Sequence, residues 1–129
     1  HPKLSIVLSG IGSPWIDEAL AVIGKHTLAH ADLAGLVERP WQLFNSLLSA
    51  NALNVIDRLF FASGWPVETP AKAIETIYSI NAFAHSTQRP SIPRPRLRAI
   101  SERDVLGELS IPATSGSSAV APSVTIRST

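Results

Sequence analysis

Hydrophobic residues between positions 13 and 85 recur mostly at three- and four-residue intervals, the period of an amphipathic helix. Ile16, Ala19, Leu20 and Ile23 share one face of a segment running to about His30, with Asp17 and Glu18 near its positive dipole end. Ser13 is a candidate N-cap and Pro14 a candidate first helical residue. "DLAGLVE" reads as a short turn capped by Asp32 and closed off by Pro40. Pro40 then opens a second helix that buries Trp41, Phe44, Leu47 and Leu48, with Asn51 as its break. Leu53, Ile56, Leu59 and Phe60 predict a third, which Gly64 ends and Trp65-Pro66 keeps from continuing. Thr69 and Pro70 repeat the cap signal for a last helix reaching His85, with Ala73, Ile77, Ile80 and Ala84 in one row. The expected fold is mainly α: a small antiparallel helical bundle of about four helices over residues 13–85.

The period changes at both ends of the chain. Within residues 1–12, "KLSIVL" is strand-like and runs into "SGIGSP", where two glycines precede a helix. Phosphate-binding turns have that order, because glycines admit the phosphate and the helix N-terminus presents free N–H groups. The detail differs: a dinucleotide fingerprint needs glycine where Trp15 stands, and a P-loop needs Lys followed by Ser or Thr after its second glycine. No later strand–helix–strand unit is legible to carry such a turn. The glycines therefore read as a flexible joint, and "KLSIVL" as a segment that pairs with a neighbouring chain. Residues 86–129 hold five of the ten prolines, many serines and little aromatic bulk, so they read as an extended C-terminal arm. Within it Arg94, Arg96 and Arg98 alternate with Pro95 and Leu97 as in a polyproline-type run, and "SERDVLGEL" resembles one capped turn, with Ser101 and Asp104 at capping-box spacing. "AVAPSVTIRST" places Val120, Val124 and Ile126 at even spacing, which suits a strand added to a foreign sheet edge.

Charge sharpens this division. Residues 1–85 carry five basic and seven acidic side chains, whereas residues 86–129 carry six arginines and three acids. The net charge of +1 gives no global field for nucleic acid, so phosphate contact is expected, if anywhere, from the arginines of the arm. Cysteine is absent, which removes disulfides and thiolate chemistry. Methionine is absent as well and the chain opens on His1, from which proteolytic maturation of a precursor is expected. No apolar run approaches the ~18 residues of a membrane span.

Candidate chemistry is sparse. His26 and His30 stand four apart, a spacing that chelates a metal on a helix, with Asp32 or Glu18 as a third ligand, but paired surface histidines are the more common outcome. No metal or cofactor is assigned. No serine occupies a G-x-S-x-G elbow. A helix–turn–helix reading of residues 54–77 is weakened by a link from Gly64 to Thr69 longer than the usual tight turn and by a second helix that carries only Lys72 near its start. The expectation is a non-enzymatic structural subunit of a larger assembly, a virion coat or minor capsid protein tied to other chains through Arg94, Arg96, Arg98, Val120, Val124 and Ile126. The alternatives are a processed accessory subunit of an organellar or envelope complex, and an exported helical module holding a small apolar ligand.

Overall fold

The computed structural model describes residues 2–112, and the chain over that range is mainly helical around a three-stranded parallel sheet. Strand β1 (Ile6–Leu8) leads through a tight turn at Ser9–Gly12 into α1 (Ile16–Lys25), and β2 (Ala29–Asp32) follows. Helix α2 (Pro40–Ala52) and a short turn at Ile56–Arg58 then deliver β3 (Leu59–Phe60). The strand order is β1-β2-β3, with Val7 opposite His30 and Ala31 opposite Leu59. The alternation of a strand places Ala29, Ala31 and Leu59 on one face, where they join Leu20, Ile23, Leu43, Phe44 and Leu47 in the buried core. Small residues at Ala29 and Ala31 let the helices approach the central strand. Helices α1 and α2 touch one another, so both crossovers lie on this face.

This sheet corrects the expected bundle, since two strand–helix–strand units are present and their crossover helices run in the same sense. Helix α1 begins after Pro14, not at it, and ends at Lys25, not His30. Arg58 donates to the carbonyls of Ile23 and His26, closing the helix with a cation at the negative end of its dipole, and His26 turns extended. Helix α2 starts at Pro40 as expected but runs through Asn51. It stops at Asn54, whose φ of 57° is left-handed, with Val55 N–H bonding back to Ala50 O at 2.9 Å and Asn54 N–H to Asn51 O at 3.1 Å. The run after Asn54 is thereby freed from the helix. Its Leu59 and Phe60, expected on a third helix, pair with β2 instead.

Helix α3 (Pro70–Ser79) has the expected cap, with Thr69 Oγ1 accepting from Lys72 N–H at 3.3 Å. A short α4 (Ala82–Thr87) follows, and Phe83 meets Trp41 and Phe44 at ring-centroid distances of 5.5 and 5.7 Å, pinning α4 to α2. Beyond it the extended arm expected from residue 86 is also corrected as far as residue 112. Asn81 both donates to Ile92 O and accepts from Ile92 N–H, each at 2.8 Å, which holds the returning chain against the α3–α4 junction. Helix α5 (Arg94–Glu102) then buries Leu97 and Ile100 against α3 and β3, and α6 (Val105–Glu108) is capped by the Asp104 carboxylate. Pro95 costs little because it sits in the first turn of α5, and the apolar pair Leu97/Ile100 has helical spacing.

If α5 completes the core, Leu97→Ala should lower the unfolding free energy by about 2–5 kcal/mol in urea titration. A value near zero would mean that residues 94–102 hang off the fold as an arm.

Candidate functional site

The turn between β1 and α1 is held by one carboxylate. Asp32, the last residue of β2, accepts through Oδ1 from Gly10 N–H at 2.9 Å, from Ser9 Oγ at 3.2 Å and from Ala34 N–H at 2.9 Å. Gly10, Ile11 and Gly12 are all left-handed, with φ of 58°, 50° and 64°. A Cβ on Gly10 would meet Ala34 O at 2.8 Å, so only glycine lets the two loops touch. Ile11 is a β-branched residue in a conformation that costs on the order of 1–3 kcal/mol. Its side chain is fully buried, a gain of about 1.5–3 kcal/mol that offsets the strain. The "SGIGSP" turn is therefore a rigid, inward-packed element, which corrects the reading of its glycines as a flexible joint. Its geometry does not favour a phosphate either: the Gly10 N–H is committed to Asp32, and α1 already carries Asp17 and Glu18 in its first turn.

Fixing this turn fixes β1, and β1 is where the surface is unusual. Ile6 N–H donates to Leu28 O at 2.9 Å, so Ile6 faces β2 in the ladder and the alternate residue Val7 directs its N–H and C=O away from the sheet. Apolar side chains crowd this edge: Leu4 is 58% exposed, Ile6 48%, Val22 45%, and Val7 and Leu28 39% each. Between β1 and α1 they form a groove of about 400 Å³ lined by Leu4, Ile6, Leu8, Val22, His26 and Leu28. Lys3 and Lys25 lie at its ends in sequence, and Glu18 precedes Val22 by one helical turn.

The opposite edge of the sheet is treated differently. Helix α5 lies against β3, and Arg103 donates to Leu59 O at 3.3 Å while its side chain is only 10% exposed and bridges to Glu108 at 3.2 Å. Among the described residues, β3 thus meets a helix and has a carbonyl taken by a guanidinium, whereas β1 shows exposed backbone and hydrocarbon at its outer edge.

The residues singled out from sequence separate in space. His26 ends α1 at the surface, whereas His30 lies buried on β2 with its ring stacked on Phe60 at 4.9 Å, so the two do not share a helix face. The Nδ1 of His30 has no hydrogen-bond partner among the described residues. Among those residues no group of three or more His, Asp or Glu is placed to hold a metal, and no helix is long and apolar enough to cross a membrane. Arg96 donates to Asn51 Oδ1 at 2.8 Å and Asn54 Oδ1 at 3.1 Å, tying α5 to the end of α2. Arg98 pairs with Glu102 at 2.8 Å, and that hydrogen bond, then the Glu102 charge, raise its guanidinium above the ordinary arginine value. Arg94 and Arg98 line an open groove of about 620 Å³ beside Tyr78 and Leu97. Val120, Val124 and Ile126 lie outside the described residues. The groove at β1 is only half legible in the sequence: "KLSIVL" reads as a strand, but Val22 and Leu28 join it only in the folded chain. Val22, off the apolar face of its helix, is the signal the sequence carries. Comparison of the chain with family models, curated proteins and solved structures returns no match.

Two substitutions test this construction. Asp32→Ala strands the buried-side donors of Gly10 and Ala34 and is expected to cost about 2–4 kcal/mol in chemical denaturation, the price of losing hydrogen bonds to a charged acceptor. His30→Phe keeps a ring against Phe60 and deletes the unpartnered Nδ1, so its midpoint should equal or exceed that of the natural chain.

Proposed function

We propose that this chain is a non-enzymatic assembly subunit that joins other protein chains through the open edge of β1. The observation that carries the reading is the unequal treatment of two edges of one small sheet. A parallel sheet is normally shielded on its faces and its edges are blunted by charge, proline or a covering element. Here α5 and Arg103 do this for β3, while β1 presents Val7 backbone groups flanked by exposed Leu4, Ile6, Val22 and Leu28. Addition of a strand from another chain satisfies those backbone groups and covers the hydrocarbon in one step. The rigid turn held by Asp32 keeps the edge in place before a partner arrives. The virion coat or minor capsid setting expected from the sequence is part of this proposal, and particle mass tests it.

A second reading keeps the arginines expected to bind partners. Arg94 and Arg98 flank an open groove with Tyr78, a surface suited to an acidic segment of a neighbouring chain. Pairing of Arg98 with Glu102 leaves Arg94 as the groove guanidinium without an ion pair among the described residues.

The two surfaces are separable by native mass measurement on gently isolated particles. Val7→Pro removes an outward N–H at an edge position where proline is tolerated, and Ile6→Lys places a charge in the groove. Both are expected to reduce the particle to single chains while circular dichroism stays unchanged, with Arg94→Glu leaving the mass as it was. A natural chain that is already monomeric, or a particle indifferent to both edge variants, overturns the proposal. Loss of mass with Arg94→Glu alone transfers it to the arginine groove.

A further inference from the structure

Resting on the strand-addition reading of β1, we infer that residues 122–126 of this same chain occupy that edge as an antiparallel fourth strand, a built-in guard that a partner's strand must displace. The segment lies outside the described residues, and three things select it: its own sequence, the outward groups of β1 and the reach of the chain. Pro122 sets its phase. Proline has no N–H, so in an added strand its nitrogen turns away from the neighbouring strand. Alternation then turns Val124 and Ile126 N–H outward as well and directs those of Ser123 and Thr125 toward β1.

On β1 the outward groups belong to Val7, because Ile6 bonds inward to β2, and Ser5 shares the phase of Val7. An antiparallel strand that pairs Val7 with Ser123 and Ser5 with Thr125 sets Ile126, Val124 and Pro122 opposite Leu4, Ile6 and Leu8. Leu4, Ile6 and Leu8 are the residues that β1 and its approach contribute to the apolar groove, so each of them meets an apolar partner. A parallel strand using the same backbone groups would instead bring Val124 and Ile126 to the Val7 face, away from the groove. A slip of two residues sets Leu4 against Ser128 in one direction and carries Ile126 past the strand to Pro2 in the other.

The described chain ends within reach of this position. Leu8, Ala31 and Leu59 stand level across the three strands, so a strand beside β1 passes Leu59 at three strand spacings, about 14 Å. Arg103 donates to Leu59 O and pairs with Glu108, which holds α6 near that residue, and Pro112 follows Glu108 by one short turn of chain. Residues 113–121, "ATSGSSAVA", carry no side chain larger than valine and extend to about 30 Å, twice the sideways distance. A segment tethered this way is present at an effective concentration on the order of millimolar, so in dilute solution it fills the edge before another chain does.

The absence of cysteine makes a cross-linking test clean. Opposite residues of a non-hydrogen-bonded antiparallel pair, here Ile6 and Val124, have Cα atoms about 4.5 Å apart, within disulfide range. In the dilute full chain, Ile6→Cys with Val124→Cys is expected to close an intramolecular disulfide, read by intact mass and non-reducing mobility. Its yield should be about ten times that of Ile6→Cys with Thr125→Cys, whose second position faces the other side of the sheet. The Val7 amide should exchange with deuterium about tenfold faster in Ser123→Pro, which deletes an N–H facing β1, than in Val124→Pro, which deletes one facing away. Circular dichroism checks that each variant keeps the fold. Equal yields from the two cysteine pairs, or equal Val7 exchange in the two proline variants, overturns the segment as occupant. Disulfide-linked dimers in place of closed monomers overturn the same-chain guard and give the edge to the tail of another copy. If the guard fails by either result while native particles still dissociate with Val7→Pro, strand addition at β1 stands without it.

Discussion

The Asp32 carboxylate is the contact on which the sheet depends. One oxygen gathers donors from the turn after β1 and the turn after β2, and so ties the ends of two neighbouring strands together. β1 has only three residues and, among the described residues, a partner strand on one side alone, too little ladder to hold a strand against fraying. The clasp supplies what the ladder lacks. It also requires Gly10, since any side chain there would strike Ala34 O, and it positions Ile11, whose burial compensates for its left-handed backbone. A similar close approach recurs at the end of β3, where a Cβ on Gly64 would lie 3.2 Å from Gly35 N. The loops at this end of the sheet are thus packed backbone on backbone, which leaves little room for a ligand among them.

Rigidity at that end gives the edge its meaning. An exposed apolar strand on a mobile segment could fold away, but β1 is fixed at its end by Asp32 and along its length by β2. Its outward face is consequently a standing surface. The other end of the sheet shows what the same chain does when an edge is to be closed: a helix is brought from more than thirty residues downstream in sequence and an arginine is buried to cap a carbonyl. Among the described residues the chain applies that device at β3 and not at β1.

The sequence and the fold part company at three places, each for a physical reason. At Asn54 a residue that tolerates left-handed backbone ends α2, and a five-apart backbone bond seals it, so an apolar run with acceptable helical spacing becomes a strand. At His26 the helix is ended by Arg58, which arrives from 32 residues away and leaves no local mark. After residue 86 the proline- and arginine-rich composition suggests extension, yet Leu97 and Ile100 find a core to enter, and burial outweighs low intrinsic preference. Short apolar segments such as "VIDRLFF" satisfy either period, and only their neighbours choose between them.

By itself the sequence determined the mainly helical character, the starts of α2 and α3 at Pro40 and Pro70, and about half of the core residues, because proline geometry, capping and the 3.6-residue period act locally. It also marked "KLSIVL" as a strand with a neighbour to find. Tertiary structure decided which neighbour: β2 on one side, by way of a carboxylate 22 residues from Gly10, and no other strand among the described residues. Strand pairing, edge exposure and the meeting of Val22 with Ile6 are properties of how distant segments lie together, and no local period encodes them.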